Sequence, residues 1–160
     1  NLYGNITGIG AKIGWSVEYK LYEAIEKKLS FQSSETMHAF ECIRVPDTPG
    51  VELTCIVYPE TLRVSLINNQ QLLFAGYFAY TESHDALYHL LHLLNKYELP
   101  AEETNLILGG LITKESALFE QLNQYFGKVG FTQVSINSLP SDFFDPYPFH
   151  FFGHLITHLS

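Results

Sequence analysis

The sequence has little positive charge: 9 Lys and Arg stand against 17 Asp and Glu among 160 residues, a net charge of −8. Proteins that bind nucleic acid need clustered cations to replace the counterions of the phosphates. The one basic cluster, Lys20, Lys27 and Lys28, is interleaved with glutamates, and Glu23 precedes Lys27 by one helical turn. This spacing is typical of a solvated helix surface. We therefore predict that the chain does not bind nucleic acid.

Long apolar runs are also lacking. No stretch approaches the roughly 20 residues that cross a bilayer, and the most apolar segments, 72–80 and 87–94, are interrupted by polar groups. The N-terminus has no basic region followed by an apolar block, so no secretory segment is predicted and the expected location is cytoplasmic. The chain begins at Asn1 rather than Met, which leaves open a fragment of a longer protein or a start after an unseen segment.

Cysteine is scarce, and both residues, Cys42 and Cys55, lie in apolar runs. We interpret them as buried free thiols in a reducing compartment. A disulfide between neighbouring strands is the alternative, although nothing in the sequence requires it.

The composition is that of a globular protein, with 46% hydrophobic and 16% charged residues. Branched apolar residues predict three strands that are joined by the turns Pro59-Glu60 and Asn68-Asn69. These strands span residues 52–57, 62–67 and 72–80. The order predicts an antiparallel meander.

Alternating helices and strands follow the meander. The apolar spacing and the turn residues predict the following elements: a helix from a cap at Thr81 or Ser83 to Tyr97, a strand over 105–108, a helix over 114–126 capped by Thr113, a strand over 131–136 and a last helix over 148–159. Gly127 and Gly130 are expected to end the second of these helices. Gly109-Gly110 lies between a strand and a helix.

The first 50 residues are less regular. Gly8-Ile9-Gly10 lacks the flanking residues of a phosphate loop, so a flexible lead-in or an edge strand is expected there. A helix capped by Ser16 is predicted to run to Leu29, and residues 37–45 are predicted to form a strand.

A meander followed by helix, strand, helix, strand and helix resembles the ribonuclease H-like plan, an α/β fold with a mixed sheet. Nucleases with this plan hold two metal ions with carboxylates on the first and fourth strands. The corresponding segments here, 53–57 and 106–108, contain no carboxylate. We therefore predict that the chain is not a two-metal nuclease.

Residues 51–136 also resemble the second lobe of the actin-like ATPase superfamily, in particular pilus-assembly and cell-division actin homologues and a bacterial family of unknown function with an actin-like fold. Active members carry Asp-x-Gly-x-x-Thr in the first hairpin, where Asp orients metal or water and Gly admits the phosphates. Those positions correspond here to Ile56, Tyr58 and Thr61. The resemblance therefore implies a nucleotide site that has lost its phosphate machinery.

The second motif of the resemblance is an apolar strand that runs into two glycines, here Leu106 to Gly110. In the superfamily this motif contacts adenosine, so Gly109, Gly110 and Thr61 are the candidate cofactor-binding residues. The alternative from the residues alone is a tight packing turn, because glycine often marks a close approach of two backbones.

The resemblance implies two domains: residues 1–50 as a remnant of, or link to, a first lobe, and 51–160 as the actin-like lobe. We predict no catalytic residue, no resident metal and no cofactor, with ATP and Mg²⁺ as the alternative. The expected function is binding or assembly with a protein partner or the chain's own missing lobe, and a homo-oligomer stays open. The alternative function is a divergent ATPase or kinase-like enzyme that needs a second lobe.

Other chemistry-bearing residues have plainer interpretations. Ser83-His84-Asp85 are adjacent and cannot converge as a catalytic triad. The histidines at 150, 154 and 158, like His89 and His92, share a predicted helix face. Three residues at full turns span about 12 Å, too far to meet one ion, so an amphipathic helix is favoured over a metal site. Six aromatic residues crowd 143–152, which fits core packing or an interface equally well.

Overall fold

A computed structural model describes residues 2–6, 10–29, 39–133 and 147–153. The chain divides into two compact units, 1–45 and 46–160. The sequence pattern placed the domain boundary after residue 50.

The first unit begins with an antiparallel pair of strands, β1 (Leu2–Ile6) and β2 (Ala11–Trp15). Gly10, which precedes β2, has a φ of +64°, a left-handed conformation that favours glycine. The glycine-rich segment therefore contains strands, as the edge-strand alternative predicted.

Two predictions in the first unit are wrong. Helix α1 spans Tyr19–Leu29 and does not start after Ser16, because β2 continues to Trp15. The carbonyl of Glu18 is the first that accepts a helical hydrogen bond, from the Tyr22 N–H at 3.0 Å.

The predicted strand over 37–45 is the second error. Ala39–Cys42 forms a turn of 3-10 helix, and Phe40 inside it and Ile43 directly after it are buried. The Ile43 N–H donates to the Phe40 carbonyl at 3.2 Å. Their spacing of three is the period of a 3-10 helix, whereas a strand would bury alternate residues.

The second unit is built on a five-stranded mixed sheet. Its strands are β3 (Val51–Val57), β4 (Thr61–Asn68), β5 (Gln71–Ala79), β6 (Thr104–Gly110) and β7 (Lys128–Phe131). The spatial order is β5-β4-β3-β6-β7, with β3, β4 and β5 antiparallel and β3, β6 and β7 parallel. This arrangement confirms the predicted mixed α/β, ribonuclease H-like plan.

Two helices cover one face of this sheet: α2 (Ser83–Lys96) and α3 (Ala117–Tyr125). Alternate residues of the central strands point toward them and form a single core, in which Leu53, Leu90 and Leu106 have no exposed surface. Cys55 belongs to this core as a buried free thiol, as predicted, and burial raises its pKa to about 12. A thiol that stays protonated is a poor nucleophile. The Cys42 side chain lies outside the described residues.

Several element boundaries differ from the predicted ones. The β4–β5 turn is formed by Asn69 and Gln70, with φ values of 48° and 68°, one residue later than predicted. The Asn69 side chain accepts the Gly50 N–H at 3.1 Å, which fixes this register. Gly130 does not end a helix; it pairs with Ile107 inside β7.

The C-terminal part of the unit is described only over 147–153, where Phe149–Phe151 forms a short 3-10 helix. The rest of the predicted last helix, including His154 and His158, lies outside the described residues. None of the helices among the described residues has both the length and the apolar character that a membrane span requires.

A polar pair lies on the sheet face opposite the core. Asn105 Nδ2 donates to Glu52 Oε2 at 3.5 Å between neighbouring parallel strands. Burial raises the pKa of Glu52 above the ordinary value of 4.5, and hydrogen bonds from Asn105 and Thr54 oppose that shift only partly. Folding therefore makes protonation of this carboxyl easier than it is in the unfolded chain.

Glu52→Gln is expected to raise the melting temperature at pH 7. A carboxyl whose pKa is raised on folding contributes stability below its unfolded pKa, and that contribution is lost as the pH rises through the folded pKa. The advantage of the variant should therefore shrink as the pH falls toward 4.5. Thermal unfolding between pH 4 and 8 measures it; a constant difference across this range would contradict the assignment.

Candidate functional site

The three predicted cofactor-binding residues meet at one end of the sheet. Val57, the last residue of β3, pairs with Leu62 of β4 on one side and with Gly110 of β6 on the other. Thr61 opens β4, and Gly109 and Gly110 close β6. The register therefore places Thr61 and both glycines around the end of β3, where ligands of open α/β sheets bind.

The hairpin between β3 and β4 is tightly held. The Tyr58 N–H donates to the Thr61 carbonyl at 2.9 Å, and the Tyr80 hydroxyl donates to the Tyr58 carbonyl at 2.7 Å. The Tyr80 N–H also donates to the Glu60 carbonyl at 3.1 Å. Burial, followed by the nearby Cys55, raises the pKa of Tyr80 and keeps its hydroxyl protonated. These bonds fix the shape of the turn.

Gly110 provides a close approach between two strands. Its φ is +76°, and a Cβ added there would collide with the carbonyl oxygen of Val57 and lie 2.9 Å from the Val57 nitrogen. The next residue, Leu111, donates its N–H to the same Val57 carbonyl at 2.8 Å. Gly110 is therefore required by strand packing, whatever else it contacts.

The space beside Gly109 is filled by protein atoms. A Cβ at this position would lie 2.8 Å from Ile56 Cδ1 and 3.1 Å from Thr132 Cγ2. Ile56 is only 2% exposed, and Gly153 in turn lies close to Thr132. A flat ligand could reach the backbone of Gly109 only by displacing these groups.

The helix after the glycines starts later than predicted. Helix α3 begins at Ala117, and its cap is Ser116, whose hydroxyl accepts the Phe119 N–H at 3.2 Å. Thr113 does not cap the helix; its carbonyl accepts the Ser116 hydroxyl at 2.8 Å. Residues 111–116 thus separate Gly110 from α3, so the helix N-terminus does not directly adjoin the glycines.

The Ser83-His84-Asp85 segment is a helix start, as predicted. The N-cap is Glu82 rather than Thr81 or Ser83. Asp85 Oδ2 accepts the N–H groups of Thr81 and Glu82 at 3.2 and 3.1 Å, and these bonds lower the pKa of Asp85. The carboxylate therefore serves as a capping group at the beginning of α2.

The histidines contact carbonyls and rings. His150 Nε2 lies 2.6 Å from the Ile112 carbonyl, and its ring lies 4.1 Å from that of Phe131. His89 stacks on Phe78 at 5.0 Å. Within the described residues no three His, Cys, Asp or Glu side chains converge in a way that could hold a metal ion.

Sequence reasoning missed a hollow beside the hairpin. It has a volume of about 630 Å³ and lies between the β3–β4 turn, the end of β5 and the first turns of α2. The residues that line it are Pro59, Glu60, Ala79, Tyr80, Thr81, Asp85, Tyr88 and His89. They come from three separate segments, so no local motif signals their convergence.

The class of fold is shared with a solved protein from Bacteroides thetaiotaomicron VPI-5482, described as having an actin-like ATPase fold and unknown function. The TM-score is 0.67 at 16% identity over 82% of this chain and 52% of that one. The chain accordingly has the fold of an actin-like ATPase lobe. The chain spans about half the length of that protein.

A family profile described as "Protein of unknown function (DUF3822)" matches residues 52–129, which cover the sheet from β3 to β7. A structure of the foamy viral protease-reverse transcriptase with double-stranded DNA aligns over 84% of this chain and 32% of that one, at 14% identity. Its TM-score of 0.33 is too low to indicate a shared fold. No curated protein sequence matches the chain.

The residues at the end of β3 do not fit a magnesium nucleotide. At the two positions where the resemblance implies an Asp and a Gly, the chain has the buried Ile56 and Tyr58. The backbone around Gly109 and Gly110 is already in contact with Ile56, Thr132 and Val57.

Proposed function

We propose that this chain is an actin-like lobe without ATPase activity that works as a binding or assembly module. The observation that carries the proposal is the packing of Ile56 against Gly109, where the resemblance implies an Asp and a bound adenosine. Because Ile56 is almost completely buried, its side chain belongs to the structure of the lobe rather than to an open cleft. Thr61 keeps its position but contributes a backbone carbonyl to the turn.

The charge of the lobe also opposes a polyphosphate ligand. Residues 46–160 contain twelve acidic and four basic residues, whereas 1–45 contain five of each. The whole net charge of −8 therefore belongs to the second unit. A surface of this sign repels phosphates and nucleic acid and attracts basic partners.

A protein partner is supported by the exposed apolar side chains of the second unit. Leu111 is 55% exposed directly after the glycines, and Tyr88 is 62% exposed on α2. Large aromatic side chains are enriched where proteins bind one another. The partner that we propose is another protein or a second lobe, with self-association as the alternative.

Saturating ATP with Mg²⁺ is expected to leave the melting temperature of the chain unchanged. A ligand at about 100 times its Kd would add about 2.7 kcal/mol to the free energy of unfolding, a shift that differential scanning fluorimetry resolves easily. An active actin-like ATPase treated in the same way provides the positive control. Saturable stabilisation together with phosphate release, both lost in Thr61→Ala, would instead establish the alternative of a divergent ATPase.

A further inference from the structure

The hollow beside the β3–β4 hairpin has the position and size of a ligand site. It lies beyond the carboxyl ends of β3 and β5, and its volume of about 630 Å³ is within the range of small-molecule pockets. The hydrogen bonds of Tyr80 to the backbone of Tyr58 and Glu60 hold one wall in place. The site does not include Gly109 or Gly110, so it is separate from the predicted nucleotide site.

The side chains of the hollow combine negative charge with aromatic rings. Glu60 and Asp85 supply carboxylates, and none of the described residues that line the hollow is Lys or Arg. Tyr88 is held in place by stacking with His92 at 5.6 Å and by an edge contact with His89 at 5.8 Å. Asp85 already accepts two backbone N–H groups, which leaves Glu60 as the principal carboxylate for a ligand.

We propose that this hollow binds a guanidinium group, pairing it with Glu60 and stacking it on the Tyr88 ring. The proposal deepens and rests on the proposed binding function. A planar guanidinium forms two parallel hydrogen bonds with a carboxylate and also stacks on aromatic faces, whereas an ammonium does neither as well. The net charge of −8 carried by this unit favours a cation and opposes a phosphate or a carboxylate ligand.

Titration of the ¹⁵N-labelled chain with N-acetyl-arginine methylamide at pH 7.5 tests the site. Amide shifts are expected to concentrate at residues 80–89 and around Glu60. The neutral citrulline analogue should produce none of these shifts, and the lysine analogue should bind less tightly. Free L-arginine forms a second arm: tighter binding of the capped compound indicates an arginine within a partner chain, and tighter binding of the free amino acid indicates a small ligand.

Matched variants separate the site from the general acidity of the lobe. Glu60→Gln and Tyr88→Ala are each expected to weaken binding about fivefold or more, as for loss of a charge-assisted contact. Glu120→Gln and Tyr125→Ala make the same changes on exposed positions of α3 and should have no effect. Equal weakening in both sets, or equal binding of the citrulline analogue, would overturn the proposal.

The same labelled sample distinguishes failure of this site from failure of the proposed function. If neither arginine nor Mg-ATP shifts any resonance, the guanidinium site is wrong while the inactive lobe stands. If Mg-ATP binds saturably, the proposed function without ATPase activity is wrong. The response to arginine then still shows independently whether the hollow binds a guanidinium group.

Discussion

Gly110→Ala is expected to lower the free energy of unfolding by about 3 kcal/mol. The substitution forces a side chain into a left-handed conformation with a φ of +76°, and the new Cβ would run into the Val57 carbonyl at the end of the central strand. Relief would require β3 and β6 to separate where they pair. Urea unfolding followed by circular dichroism measures the loss.

Gly130→Ala is the matched control, because it adds the same methyl group to the neighbouring strand. Among the described residues, its Cβ would meet only Ile107 Cδ1, at an ordinary 3.7 Å, so the expected change is within about 1 kcal/mol. Equal stabilities of the two variants would contradict the packing role of Gly110.

Ile56→Asp, which introduces the residue that the resemblance implies at this position, is expected to cost about 3 kcal/mol or more at pH 7. Ile56 is 2% exposed, so the carboxylate would lose its hydration. Burial should raise the pKa of the new carboxyl, and its protonated form folds better. The penalty is therefore smallest below the unfolded pKa of about 3.9 and grows as the pH rises through the folded pKa.

Ile56→Asn is the control for this pH dependence. It has nearly the same shape as Asp but does not titrate, so its loss of stability should stay constant between pH 4 and pH 8. Denaturation of both variants at several pH values separates the charge from the cavity. An Ile56→Asp protein as stable at pH 7 as the unsubstituted chain would mean that position 56 faces a hydrated cleft.

The sheet was predictable because local preference and burial agree along it. Branched apolar residues in β3 and β4, with turn residues between them, allow few alternatives. The first unit was harder. Phe40 and Ile43 lie in a segment whose partly alternating apolar residues suggested a strand. Residues 39–42 instead form a 3-10 turn, and both side chains are buried at a spacing of three. Such short segments take their conformation from their packing rather than from local propensity.

The candidate site was predictable only in part. The resemblance alone implies that Ile56 and Tyr58 stand in place of an Asp and a Gly, and this stays a prediction. By contrast, the role of Gly109 and Gly110 in close packing depends on which atoms contact them in the folded chain. The atoms beside Gly109 belong to Ile56 and Thr132, which are distant in sequence, so the sequence does not reveal this contact. The hollow was missed for the same reason, because Glu60 and Tyr88 are brought together only by the folded chain.

The most direct test of the inactive lobe is an NMR titration with Mg-ATP that follows the amides of Thr61, Gly109 and Gly110. We expect no saturable shift at these three positions at nucleotide concentrations up to about 1 mM, the upper end of typical substrate affinities. Saturable shifts that converge on the three residues, with the fold intact, would contradict the proposal and establish a nucleotide site at the end of β3.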